Sequence, residues 1–331
     1  MEFKAALDKQ VLIMDGAMGT MVQSLHLEDS AFGGPLYKML TDLLVFSRPA
    51  ELEGIHLQYL QAGANIIETN TFGATPMRLK EFDFSHIDVA DIRSIPSGLD
   101  LRRCDFASMT RHLNVEACRI ARRAVEHYKT LPEYNGRPLF VAGSIGPSNY
   151  VLSSTQANLK RSTFAEVVEN FRLQVAALVE GGADVILFET QQDILETKAS
   201  IIGAKKAFAE KKKHLPIMAQ ATVDVFSKMQ IFNTDILAAC TAISRMGIAT
   251  FGINCNVGPE LMRETVNKLS RFCNHPISII PNAGQPISED GKTCYKLTPE
   301  EMVEIMDPFV REWGVSIVGG CCGTNPSHIR A

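Results

Sequence analysis

The chain has 331 residues, 46% of them hydrophobic and 21% charged, with a formal net charge of −4. That is the balance of an ordinary globular protein with enough chain to bury a sizeable core, and the slight acidity excludes the basic footprint of a nucleic-acid binder. The start, Met1-Glu2-Phe3-Lys4, carries no signal-peptide pattern and nowhere do about eighteen uncharged apolar residues run together, so a cytoplasmic protein away from any membrane is expected.

In chain order, short apolar runs bounded by turn residues alternate with amphipathic stretches. Strands are expected at 11–14, 65–68, 139–142, 185–188, 217–221, 250–254, 277–281 and 315–318. Most are continuous apolar runs, the pattern of parallel strands covered on both faces. Residues 164–180 place Val167, Val168, Phe171, Val175 and Leu178 at helical spacing, and 237–246 and 299–312 read the same way. Eight strand-helix units in this length predict an α/β (β/α)8 TIM barrel, a single domain over 1–331. Residues 83–110 are irregular and mixed in charge, and read as an insertion after the second strand, partly loop. Lys211, Lys212 and Lys213 read as a solvated turn. Nine residues follow Cys322, too few for a full last helix: either that helix is shortened, or the chain is a piece of a longer polypeptide.

Residues at the carboxyl ends of barrel strands converge on one face, which carries the chemistry. The strand ends here supply Asp15-Gly16-Ala17-Met18-Gly19-Thr20, Glu68-Thr69-Asn70, the turn from Gly143-Ser144, Glu189-Thr190, Asn254-Cys255-Asn256, Asn282-Ala283-Gly284 and Gly319-Gly320-Cys321-Cys322. Eight cysteines are too sparse for a disulfide scaffold, and a reducing compartment keeps thiols free for metal or catalysis. Zinc favours thiolates, and a catalytic site takes three protein ligands while keeping a fourth position open, a count that Cys255, Cys321 and Cys322 fit. Small buried packing residues are the competing reading, awkward for two adjacent cysteines that must point in different directions. Cys294 reads as an ordinary loop residue, and Cys104, Cys118, Cys240 and Cys273 as core packing. The Asp15 turn exposes backbone amides beside a carboxylate, which suits an α-amino acid, although a plain tight turn explains it equally. Glu68 and Asn70 either assist there or brace the barrel.

These motifs, in this order, resemble the homocysteine S-methyltransferase family, most nearly the homocysteine-binding module that begins cobalamin-dependent methionine synthases. The likeness runs through Met14 to Thr20, Ala62 to Gly73, Gly143 to Asn149, Glu180 to Asp184, Phe188-Glu189-Thr190, Gly252 to Cys255, Pro281 to Gly284, and Gly319-Gly320-Cys321-Cys322-Gly323-Thr324. It implies a methyltransferase in which Cys255, Cys321 and Cys322 bind Zn2+ and the homocysteine sulfur takes the fourth place, ready to attack a methyl group. It further implies Asp15 and Glu189 as contacts to the amino group and the Gly16 and Ala17 amides near the carboxylate, with Glu68, Ser144 and Asn254 as further substrate contacts. Methylcobalamin enters only indirectly, on a partner corrinoid protein or domain. The alternatives are another acceptor thiol, a small donor such as S-methylmethionine or a betaine, and a non-catalytic zinc-bearing docking subunit. An aldolase-like barrel is excluded by the lack of a strand-end lysine for a Schiff base. Residues 224–232 lack the glycine-rich stretch expected at that place in the family, and 83–110 match it poorly.

Overall fold

The computed structural model describes residues 1–103, 105–152, 160–289 and 292–331. Seven strands come first: β1 (Leu12–Ile13), β2 (Ile66–Glu68), β3 (Phe140–Ile145), β4 (Val185–Gln191), β5 (Ile217–Ala221), β6 (Thr250–Asn254) and β7 (Ile277–Ile280). A hairpin of β8 (Ile287–Glu289) and β9 (Lys292–Cys294) precedes the last strand, β10 (Val315–Val318). The order in the main sheet is β1-β10-β7-β6-β5-β4-β3-β2, parallel throughout. A parallel bridge between Met14 and Ile66 brings the two edge strands together, so the sheet closes as a (β/α)8 TIM barrel.

All eight expected strands are present, and the differences lie at their ends. β3 runs on to Ile145 because its ladder with β4 continues through Ser144↔Leu187 and Ile145↔Phe188, and β4 runs on to Gln191, which pairs with Ala221 of β5. Polar residues therefore stand inside the sheet where the apolar runs had ended. Leu12, Met14, Ile66, Phe140, Ala142, Val185, Leu187, Met218, Ile280 and Ile317 pack into one buried cluster filling the barrel. Alternate residues share a face, so two more steps along β2, β3 and β4 put Glu68, Ser144 and Glu189 above that apolar plug. The helices between strands cover the outside. The helix Phe164–Gly181 opens with a capping box of Thr163 and Glu166 and ends at Gly182 in the left-handed region, φ 96°.

Two expectations are revised. Cys294 lies not in a loop but in β9, paired with Ile287. Residues 106–110 belong to the helix Phe106–Lys129, which Asp105 caps through the Ser108 N–H at 2.8 Å. Apart from the 3-10 turn Phe84–His86, residues 83–103 are irregular yet bury Phe84, Ile87, Ile92, Leu99 and Leu101, so hydrophobic packing and not backbone pairing orders them. Cys104 lies outside the described residues. The shortened last helix is present as Pro326–Arg330, with Asn325 accepting from the Ser327 N–H at 2.9 Å.

One buried charge outside the barrel mouth is testable directly. Glu196, in the helix Ile194–Lys211, accepts the N–H of Ser148 at 2.6 Å and so fixes the chain after β3. Burial pushes its carboxyl up from 4.5 to about 7, against the hydrogen bonds from Ser148. The folded state thus holds the proton more tightly than the unfolded chain, and stability is lost as the pH rises through that window. Glu196→Gln keeps the acceptor and removes the charge. In urea titrations the variant should gain about 3 kcal/mol over the parent at pH 8 and less than about 1 kcal/mol at pH 5; an equal gain at both would exclude the buried charge as its source.

Candidate metal centre

Beyond β6 the chain turns through Cys255 and Asn256, both left-handed at φ 61° and 67°. Non-glycine residues enter that region at a cost of order 1–3 kcal/mol and stay only when neighbours hold them. Here Cys255 N–H donates to Ile280 O at 3.0 Å, and Asn256 Nδ2 donates to Val223 O at 2.8 Å. At the end of β10, Gly320 runs so close to Thr324 that a Cβ there would meet its Oγ1 at 2.4 Å. Cys321 N–H donates to Pro281 O at 2.7 Å, and Cys322 O accepts from Ala283 N–H at 2.9 Å. The outcome is that the Sγ atoms of Cys255, Cys321 and Cys322 all lie within 4.8 Å of one another. Cys255 and Cys322 are 3.8 Å apart, and Cys321 and Cys322 4.0 Å. Cys118, Cys240, Cys273 and Cys294 stand outside this group.

The thiols share charge unequally. Hydrogen bonds from Cys255 and then Cys321, assisted by the Tyr295 hydroxyl, pull the Cys322 thiol down to about 3. Cys255 is helped by a hydrogen bond from Cys321, yet donation to Cys322 and burial outweigh it and hold its thiol up at about 12. Cys321 is held well above its ordinary value, first by its hydrogen bond to Cys255 and then by that to Cys322. Cys322 is therefore the most acidic of the three. A soft dication that displaced the remaining protons would relieve the crowding, and an all-sulfur set of three is what zinc accepts with a position to spare. The donor set fits the metal that the sequence led us to expect.

Beside the sulfurs sit three carboxyls. Asp15 is 1% exposed; its Oδ2 accepts the Glu68 N–H at 2.9 Å, while Oδ1 is buried with no partner among the described residues. Glu189 accepts from Ser144 Oγ and, at 3.3 Å, from Asn254 Nδ2. Asn254 also accepts from the Thr190 N–H at 2.8 Å, holding Thr190 at φ 56°, strained for a β-branched residue. Burial raises all three acids: Asp15 and Glu68 well above the carboxylate range, Glu189 less so because Ser144 and Glu68 donate to it. The hydrogen bond between Glu68 and Glu189 raises the one and lowers the other. Ser144 and Asn254, expected as substrate contacts, spend these hydrogen bonds orienting Glu189.

A family model described as homocysteine S-methyltransferase matches residues 12–331. The chain belongs to the homocysteine S-methyltransferase family. The methionine synthase of Mycobacterium tuberculosis is 34% identical over 324 residues, which are 98% of this chain and 24% of that protein. That of Mycobacterium leprae is 33% identical over 326 residues, with the same coverage. The chain thus spans about a quarter of the length of the curated relatives it matches. Among solved structures, the metallated form of the homocysteine methyltransferase MmuM from Escherichia coli superimposes with a TM-score of 0.72 at 23% identity, covering 98% of this chain and 96% of that one. Its oxidized form gives 0.70, again at 23%. These likenesses show the barrel fold.

For a homocysteine S-methyltransferase family member, the residues that brace the centre are as informative as those that form it. Thr324 Oγ1 accepts the Ala17 N–H at 3.2 Å and donates to Cys321 O at 2.6 Å, joining the first strand end to the last. The Ala17 amide, expected to face a substrate carboxylate, is therefore engaged; the Gly16 N–H has no partner among the described residues. Gly16 has no room for a side chain, since a Cβ would meet Thr324 Oγ1 at 2.8 Å and Tyr59 at 2.9 Å. Tyr59 donates to Ala17 O at 3.1 Å. Asn70 donates to Thr41 O at 2.8 Å and so braces the rim. Tyr59, Tyr295 and Thr324 escaped the sequence reading as site residues, although Thr324 closes the quoted cysteine motif. Thr324→Val should weaken zinc binding about 10- to 100-fold in chelator competition, as loss of an outer-shell partner does. Unchanged affinity would show that the Asp15 turn and Cys321 are positioned independently.

No helix among the described residues is long and apolar enough to cross a membrane.

Proposed function

We propose that this chain, acting as one unit over 1–331 in the cytoplasm, methylates homocysteine to methionine. Cys255, Cys321 and Cys322 would hold Zn2+, and a methylcorrinoid protein or domain would deliver the methyl group. The observation that carries the proposal is the meeting within 4.8 Å of three sulfurs, Cys255 being 67 positions from Cys322 in the chain, beside buried acids of which Asp15 leaves an oxygen unpartnered. When bound, Zn2+ supplies the Lewis acidity that removes the proton of a thiol whose free pKa is about 8.5.

The chain's own residues choose and orient the substrate. The two buried carboxyls of Asp15 and Glu189 are costly alone, and an ammonium offsets that cost by pairing with both. Ser144 and Asn254 hold Glu189 for that pairing, and the free Gly16 amide suits the α-carboxylate. With the amino-acid end fixed, the side-chain sulfur has one direction to extend. On the loops after β2 and β5, Phe72, Val225, Phe226 and Ile231 are exposed apolar residues, Phe226 by 70%. Such a rim supports docking of a macromolecular methyl carrier.

X-ray absorption at the zinc edge provides the test: a fourth sulfur should appear when homocysteine is added, and methionine should form with a methylcobalamin-loaded corrinoid protein. An unchanged sulfur count overturns homocysteine as acceptor. A second reading is a small donor such as S-methylmethionine or a betaine. Methionine formed from the small donor, with none from the corrinoid protein, would select it. Replacing homocysteine by other thiols in the same assay settles the acceptor.

A further inference from the structure

Away from the candidate metal centre, two further cysteines face each other. Cys240 lies in the helix Ile236–Ile243 that follows β5, and Cys273 caps the helix Pro259–Phe272 that follows β6. Their sulfurs are 3.3 Å apart although the residues are 33 positions apart in the chain. Neither belongs to the sulfur group of the mouth. Cys240 is buried and Cys273 half-buried, and the Cys273 sulfur also lies 3.7 Å from the His275 carbonyl oxygen.

We propose that Cys240 and Cys273 form a reversible thiol-disulfide site, oxidised by glutathione disulfide or a similar low-molecular-weight disulfide. The half-buried Cys273 is the better nucleophile: the hydrogen bond from Cys240 pulls its thiol down to about 7, while the same bond raises Cys240. In the first step the Cys273 thiolate attacks one sulfur of glutathione disulfide, forming a mixed disulfide and expelling one glutathione thiolate. In the second, the Cys240 thiol loses its proton and attacks the Cys273 sulfur, expelling the second glutathione. Two protein thiols are oxidised and one glutathione disulfide is reduced to two thiols.

The bond would join two strand-helix units that already touch near the mouth. Ser227 Oγ, in the loop after β5, accepts from Thr265 Oγ1 at 2.9 Å and Lys268 Nζ at 3.2 Å, both on the helix Pro259–Phe272. Thr222 Oγ1 donates to Asn254 O at 3.0 Å, one residue before Cys255. Oxidation would thus clamp the far end of the helix whose near end follows Cys255.

The test uses the zinc-loaded protein, incubated with glutathione disulfide, then alkylated and mapped by mass spectrometry. The expected product is a cross-linked peptide pair containing Cys240 and Cys273, lighter by two hydrogens and restored by a dithiol, with zinc still bound. Cys240→Ser should arrest Cys273 as its glutathione mixed disulfide. Recovery of both residues alkylated singly from the parent protein, or of a mixed disulfide that never resolves, overturns the proposal.

Discussion

Cys322→Ser should lose zinc and, with it, methyl transfer. Cys322 is the sulfur to which the other two donate, and those hydrogen bonds make it the most acidic of the three. A serine oxygen neither ionises near neutral pH nor offers the soft donor that zinc prefers over a hydroxyl. Loss of an outer-shell partner already costs 10- to 100-fold in affinity, so loss of a direct ligand should cost more than about 100-fold. Activity should fall in proportion to the zinc lost. The backbone around the site depends on hydrogen bonds made by main-chain atoms of Cys321 and Cys322, so circular dichroism and the unfolding midpoint should stay close to those of the parent. Metal content after dialysis against a chelator gives the decisive number. A serine variant that retained one zinc per chain with parental affinity would remove Cys322 from the ligand set.

The sequence carried the barrel because parallel strands buried on both faces are written as uninterrupted apolar runs, and those runs start where the strands start. It was less informative where polarity enters a strand. Ser144 and Glu189 look like loop residues by composition, yet Ser144 pairs with Leu187 across β3 and β4, and Glu189 stands between Phe188 and Gln191, both paired to β5. The three sulfurs were legible because barrel geometry sends all strand ends to one face, whatever their separation in the chain. Their bracing was not legible: the Ala17 to Thr324 hydrogen bond spans 307 positions, and nothing local marks a threonine as its acceptor. The same limit hid the Cys240 and Cys273 pair, each of which alone reads as a small packing residue on a helix. Ordering of residues 83–110 also came from long-range burial, without periodicity to announce it.

Asp15→Asn should raise KM for homocysteine at least about 30-fold while kcat changes far less. Asp15 is 1% exposed and its Oδ1 has no partner among the described residues. An ammonium brought against it would form a buried, charge-assisted pair, and truncating one partner of such a pair costs about 2–5 kcal/mol. The lower figure corresponds to roughly 30-fold, at 1.36 kcal/mol per decade. Because the amino group does not change during methyl transfer, the loss falls equally on bound substrate and transition state, which is the signature of a raised KM with kcat preserved. The ligand-free protein should respond in the opposite sense. Burial holds the Asp15 carboxyl well above its ordinary 3.8, so the folded state retains a proton that the unfolded chain releases, and each step of pH above that value costs stability. Asparagine keeps an oxygen for the Glu68 N–H and carries no charge. Thermal melts without substrate should therefore show the variant matching the parent near pH 4 and surpassing it as the pH rises. Homocysteine should reverse that order by stabilising the parent alone. If KM were unchanged, or if kcat fell with KM intact, Asp15 would not be the amino-group contact, and the ammonium would have to be placed on Glu189 and Glu68.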